Sequence, residues 1–159
     1  MNKFIILDDV FDDNTVEKIK NFDYNYKWHW MGDNPIQEKM IDVARMFFDL
    51  SASIGYELWS NDFDQYRTEV KGSELDWHFD HNMKKFARTG IYEFPLCTVV
   101  YYPLIKNLRG GEFLTENAKF IPKTNRMVLF SPGVQHAVTE YLGLRFAISI
   151  NIWDSKVEE

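Results

Sequence analysis

"RFAISINIW", residues 145–153, alternates two kinds of side chain. Phe146, Ile148, Ile150 and Ile152 form one series; Arg145, Ala147, Ser149 and Asn151 form the other. Successive side chains of a strand point to opposite faces. The stretch therefore reads as a strand with one wholly apolar face, packed against helices or an outer layer. The second face is small or polar and carries an arginine. A guanidinium cannot line a dry core without a partner for its charge. It can line a pocket that holds an anion, because its planar fork grips a carboxylate in bidentate fashion. Ser149 can support the guanidinium or contact the ligand. An internal salt bridge or a solvated edge is the plainer alternative for Arg145.

"CTVVYY", residues 97–102, has the same grammar. Thr98, Val100 and Tyr102 share one face, and Val99 and Tyr101 the other. Hydroxyls of Thr98 and Tyr102 on a pocket face are candidate carboxylate donors, as is Tyr66 upstream; each tyrosine also fits a plain core position. Cys97 lies in this apolar run and reads as a small core residue. Further short runs rich in β-branched and aromatic residues follow Gly55: "FDQYRTEV", "GGEFLT" and "RMVLFS". Lys71-Gly72, Asn107 to Gly111 and Ser131-Pro132-Gly133 separate them as turns.

The first third of the chain has a different texture. Phe4–Leu7 reads as a short strand. Asn14 is a helix cap with Glu17 positioned as in a capping box, and Val16, Ile19 and Phe22 supply the apolar stripe. Asn34, Pro35 and Gln37 are a second start signal. Ile36, Met40, Val43, Phe47, Leu50 and Ile54 then recur at helical spacing, which predicts a helix from about residue 35 to about 54 with Gly55 as its stop. Two helices followed by about eight strands predict a mostly β fold with flanking helices, packed on one face of a double-sheet barrel.

With 159 residues the chain is expected to form one domain, 1–159, with helical support over about 12–55 and a barrel over about 56–153. The net charge of −6 disfavours a nucleic-acid or anionic-membrane partner, which needs a basic face. Cys97 is the only cysteine, so no intrachain disulfide forms and a reducing compartment fits. The apolar run near the N-terminus is too short for a signal peptide and no stretch approaches a membrane span, so a cytoplasmic location is expected.

"LDWHFDHN", residues 75–82, concentrates two of the four histidines. On a strand, His78 and Asp80 point to one side, and Trp77 and Phe79 to an opposite, apolar layer. His136, in "SPGVQHAV", can supply a third ligand. Two histidines and a carboxylate form a facial triad, the ligand set of non-haem Fe(II) oxygenases, which leaves positions open. A surface pair is the alternative for His-x-Asp, and His81 is a competing zinc ligand. His29, among aromatics in "KWHWM", reads as structural.

Taken in order, "WHFDH", "TVVYYPL", "GGEF", "PGVQHAV" and "GLRFAIS" resemble the Fe(II)/2-oxoglutarate-dependent dioxygenases, specifically the prolyl 4-hydroxylase-like branch, over nearly the whole chain. The resemblance implies a double-stranded β-helix (a jelly-roll, cupin-like core) with the N-terminal helices on one sheet. It implies His78, Asp80 and His136 as iron ligands and as the catalytic centre. It implies Arg145 and Tyr102 on the distal carboxylate of 2-oxoglutarate, with Thr98 and Ser149 at nearby pocket positions. Tyr66 corresponds to the family's upstream tyrosine at a slightly longer spacing. Gly110 and Gly111 fit a tight turn with close backbone packing. The implied cofactors are Fe(II), 2-oxoglutarate as cosubstrate and O2, with ascorbate as a possible accessory. The implied reaction hydroxylates an unactivated C–H bond while 2-oxoglutarate is decarboxylated to succinate. A peptide or protein substrate, prolyl or otherwise, is expected; a free amino acid or small metabolite, a nucleic-acid demethylase, a zinc hydrolase and a non-catalytic metal-binding barrel are the alternatives. Residues 28–34 and 82–94 are expected as loops at the mouth, the second carrying Lys84, Lys85 and Arg88.

Overall fold

Alternation along the chain becomes two antiparallel sheets in the computed structural model, which describes residues 3–25, 27–60, 71–72 and 75–158. The element order is β1 (Phe4–Leu7), α1 (Asp13–Lys20), β2 (Lys27–Trp30), α2 (Pro35–Arg45), β3 (Gly55–Ser60), β4 (Lys71–Gly72), β5 (Leu75–His78), α3 (Met83–Thr89), β6 (Cys97–Gly110), β7 (Phe113–Thr115), β8 (Lys119–Phe120), β9 (Arg126–Phe130), β10 (His136–Val138) and β11 (Tyr141–Trp153). The larger sheet runs β1-β9-β6-β11-β3-β2, with β4 also paired to β11; the smaller runs β5-β10-β7-β8. The expected mostly β, jelly-roll architecture is what the chain adopts. "FDQYRTEV" and Tyr66 within it lie outside the described residues.

Residue parity sorts the core into two layers. Phe146, Ile148, Ile150 and Ile152 of β11 meet Val99 and Tyr101 of β6 and the helical residues Ile19, Met40, Ile41 and Ala44. Val100, Tyr102 and Ala147, on the other face, pack with Phe113, Val128, Phe130 and Val134. The helices thus cover one face of the large sheet, and the second face looks toward the small sheet. Fully burying such side chains stabilises the fold by about 1.5–3 kcal/mol each, so this division dominates the energetics of the architecture.

The local signals were met with several differences. Lys71-Gly72, expected as a turn, is the strand β4 paired to β11; Asn107 to Gly110, also expected as a turn, continues β6; and the expected mouth loop 28–34 begins inside β2. Asp12, not Asn14, caps α1: its Oδ1 accepts from the Thr15 amide at 2.7 Å. Asn34 caps α2 as expected, accepting from the amides of Ile36 at 3.0 Å and Gln37 at 3.1 Å. Gln37 does not reach back; its Oε1 accepts from the buried Tyr56 hydroxyl at 2.6 Å. The second helix ends at Arg45 rather than near Gly55. Beyond it the Met46 amide donates to Val43 and the Phe47 and Phe48 amides to Ala44, and Asp49 bonds the Ser51 amide and hydroxyl. Leu50 reaches the core through this turn, which is why its helical spacing misled. The stretch 82–94, expected as a loop, contains a helix. Asn82 caps α3 through the Lys85 amide at 3.1 Å, and Gly90 closes it with φ 70°.

Candidate metal centre

His78 and His136 are direct partners in the antiparallel β5–β10 register. Opposed residues on neighbouring strands project to the same face, so pairing alone brings the two imidazoles together, with ring centroids 4.3 Å apart. β5 ends at His78, so Asp80 lies just past the strand rather than on it, yet it converges. Asp80 Oδ1 is 3.7 Å from His78 Nε2, and Oδ2 is 3.7 Å from His136 Nε2. One ligand atom from each of the three residues falls within 4.8 Å of the others. Among the described residues no other cluster of histidine, cysteine and carboxylate does this.

The tautomers are fixed by the backbone. His78 Nδ1 lies 2.7 Å from the Asp76 carbonyl and His136 Nδ1 lies 2.9 Å from the Val134 carbonyl. A carbonyl only accepts, so each Nδ1 carries the proton and each Nε2 presents its lone pair to the common point. Burial pushes the His136 pKa down against the opposing pull of the Asp80 charge, which keeps this ring neutral, the form that binds metal. Phe113 stacks on His136 at 5.1 Å and Phe130 meets it edge-on. Two imidazoles, one carboxylate and a half-open surround suit a divalent ion such as Fe(II) with positions to spare.

The opposite layer forecast for Trp77 and Phe79 is only half built. β5 is an edge strand and Trp77 is 50% exposed. Phe79 packs on Tyr92 and Phe94, with centroids at 5.9 and 6.0 Å. His81 does not join the ligands; its ring meets the stacked pair Phe86 and Tyr92 edge-on. His29 is structural, stacked on Tyr56 at 5.2 Å.

Arg145 is buried in the interior, 7% exposed. Its Nε donates to the Gly111 carbonyl at 3.0 Å, and its guanidinium lies over the rings of Tyr102 at 5.3 Å and Tyr141 at 5.6 Å. The close backbone packing expected at Gly110-Gly111 is found at Gly111. Gly111 has φ +68°, and a Cβ there would lie 2.8 Å from Arg145 Cδ and 3.1 Å from Nε. The Tyr102 hydroxyl is buried and has no hydrogen-bond partner among the described residues. Burial raises its pKa and the neighbouring Arg145 charge pulls the other way. The buried guanidinium and the neighbouring phenol hydroxyl are donors of the kind that suits the distal carboxylate of 2-oxoglutarate. Ser149 lies half-buried on the same strand, opposite Val100. Thr98 lies beside the metal centre: its hydroxyl is 2.7 Å from Asn151 Oδ1 and 3.3 Å from Asp80 Oδ2.

A cleft of about 1380 Å³ opens on this centre, its described walls including His78, Asp80, Trp28, Trp59, Phe146 and Asn151. Its described lining does not include Arg145 or Tyr102, which sit behind it in the layer between the sheets. Of the expected basic cluster, Lys85 pairs with Glu93 at 3.0 Å and Arg88 with Glu158 at 2.5 Å; Lys84 lines the cleft. Glu57 and Asn151 are buried polar residues of this wall; strand parity put Asn151 on the polar face without a role, and Glu57 was not singled out. Their positions on strands opposite one another are the signal that could have found them.

Solved structures that match this fold include two with informative descriptions. An oxidoreductase of the 2OG-Fe(II) oxygenase family from Burkholderia pseudomallei matches with a TM-score of 0.59 at 15% identity, over 96% of this chain and 84% of the other. A prolyl hydroxylase in complex with a hypoxia inducible factor oxygen degradation domain peptide fragment, from Trichoplax adhaerens, matches at 0.53 and 17% identity, over 95% and 83%. The fold is that of the 2OG-Fe(II) oxygenases. No protein-family model and no curated protein matches the sequence. The resemblance carried by the ordered motifs therefore holds in three dimensions, and this oxygenase fold places the histidine–aspartate–histidine set at one point. Among the described residues no helix is long and apolar enough to cross a membrane.

Proposed function

We propose that the chain is a non-haem Fe(II)- and 2-oxoglutarate-dependent dioxygenase, a single-domain hydroxylase acting on a prolyl or other peptidyl residue. The observation that carries this is the convergence of His78, Asp80 and His136 within 4.8 Å, in a barrel that also buries Arg145. Bound iron and cosubstrate would supply the oxidising chemistry: 2-oxoglutarate and O2 yield succinate and CO2 as one oxygen atom enters the substrate C–H bond. The chain's own residues do the rest. Asp80 and the two Nε2 atoms hold the ion, Arg145 and Tyr102 receive the distal carboxylate, and Phe113 and Phe130 keep water from the buried side of His136. Thr98, Ser149 and Tyr66 complete the site assignment.

The peptidyl reading is supported by the cleft, whose volume of about 1380 Å³ exceeds the ~300–1,000 Å³ usual for small-molecule pockets. The Trichoplax protein is described with a peptide bound, and that analogy is the second support. A cytoplasmic location goes with a lone, buried thiol.

The test is a panel of proline-containing and other peptides, free amino acids and nucleosides, incubated with Fe(II), 2-oxoglutarate and ascorbate. Succinate release matched to a product heavier by one oxygen is expected for a peptide. His136→Ala and Asp80→Ala should abolish it, and Arg145→Leu should weaken 2-oxoglutarate binding at least tenfold (about 1.4 kcal/mol) while sparing Mn(II) uptake. No succinate with any substrate, together with no metal uptake, would reject the dioxygenase reading; turnover of an amino acid alone would reject the peptidyl one.

A further inference from the structure

Asp80 is a ligand position that the backbone does not hold, because β5 ends at His78. Something else must fix its carboxylate. Thr98 and Asn151 face each other in the register of β6 and β11, the central strands of the large sheet. Both are buried, at 2% and 3% exposure. The Thr98 hydroxyl touches the Asn151 carboxamide at 2.7 Å and Asp80 Oδ2 at 3.3 Å.

A hydroxyl has one proton to give, a carboxylate none. If the amide oxygen took that proton, Asp80 would receive nothing. A carboxamide has the same shape with its NH2 turned to Thr98. The three contacting atoms are then complemented: Asn151 Nδ2 donates to Thr98 Oγ1, and Thr98 donates to the charged Asp80, the stronger acceptor.

We propose that Asn151 and Thr98 form a directed donor chain that positions the Asp80 carboxylate for the metal. They are positioning residues rather than ligands, and the proposal rests on Asp80 being a metal ligand. The chain holds Oδ2 on the His136 side, leaving Oδ1 toward His78. The carboxylate is thereby oriented before an ion arrives, so less conformational entropy is lost on binding.

The experiment titrates Mn(II) into the metal-free chain, by calorimetry, without 2-oxoglutarate. Thr98→Val keeps the shape and removes the hydroxyl; Thr98→Ser keeps the hydroxyl. We expect Val to bind about 10–100-fold more weakly and Ser within about threefold of the parent. Asn151→Asp is the sharper arm. Simple attraction by an added negative charge predicts tighter binding. The donor chain predicts binding about tenfold weaker, because the new carboxylate takes the only Thr98 proton. Equal affinities for the Val and Ser variants, or tighter binding by Asn151→Asp, would overturn the proposal. If circular dichroism shows that Thr98→Val does not fold, the contrast between Thr98→Ser and Asn151→Asp decides alone. Failure of the parent to bind Mn(II), or undiminished binding by His136→Ala, would instead remove the metal reading itself.

Discussion

Gly111→Ala is the substitution whose effect the structure fixes most closely. Gly111 sits at φ +68°, where an L side chain costs about 1–2 kcal/mol. Its new methyl would start 2.8 Å from Arg145 Cδ and 3.1 Å from Tyr141 Cβ. Relieving such overpacking costs typically about 1–3 kcal/mol. A total near 3 kcal/mol lowers the unfolding midpoint by about 6–12 °C for a chain of this size. The relief also moves Arg145 off the Gly111 carbonyl, now 3.0 Å from its Nε. We therefore expect 2-oxoglutarate affinity of the Mn(II)-loaded chain to fall at least tenfold, about 1.4 kcal/mol, while Mn(II) affinity itself stays unchanged. Scanning calorimetry and two successive titrations measure all three quantities. A midpoint within about 2 °C of the parent, which is under about 1 kcal/mol, with unaltered cosubstrate binding, would refute the link between this turn and Arg145. A parallel loss of metal affinity would show general disruption instead.

Burial pushes the Cys97 thiol up to about 12. At pH 8 its thiolate fraction is then about one in ten thousand, against roughly a quarter for an exposed cysteine. Iodoacetamide should label the chain only after denaturation; rapid native labelling would contradict the packing. Glu93 accepts from Ser155, Lys85 and Asn82, and these bonds hold its carboxyl below its ordinary value of 4.5. A depressed pKa contributes stability above the unfolded value that disappears as pH falls through the folded one. The tie between α3 and the C-terminal residues should loosen below about pH 4.5, seen as faster amide exchange over 82–93; in Glu93→Gln this acid-dependent step should vanish. Asn34→Ala should cost about 1 kcal/mol, the usual worth of an N-cap, because two amides lose their acceptor; a chemical denaturation series checks it.

Strand parity was legible because each residue of β11 and β6 has one side to choose. Arg145 and Tyr102 accordingly fell together, and Ile148 and Ile150 fell against the helices. The histidines were legible from the spacing of their own stretch plus one distant partner. Asp80 reached its place although the strand stops short of it, so the right residue was found for a partly wrong reason. What sequence reading missed depends on neighbours across the sheet. Parity put Thr98 and Asn151 on the polar face, but their contact was missed because they are distant in the chain and opposed only in register, which no local periodicity encodes. The short helix α3 was missed despite its Asn82 and Gly90 caps, because seven residues without a buried side chain show no apolar stripe. The early end of α2 came from Leu50 reaching the core by a turn.

The opposed histidines tie chemistry to folding. β5 is a four-residue strand at a sheet edge, the kind of element whose alignment is weakly specified. Sliding it by one residue would set Trp77 against His136 and swing His78 to the other side. Only the native alignment offers three donors to a cation, so a cation at a hundredfold excess over its dissociation constant favours that alignment by about 2.7 kcal/mol. Loading the centre thus proofreads the pairing of the strand that carries it, and depleted chains should show the small sheet fraying from this border inward.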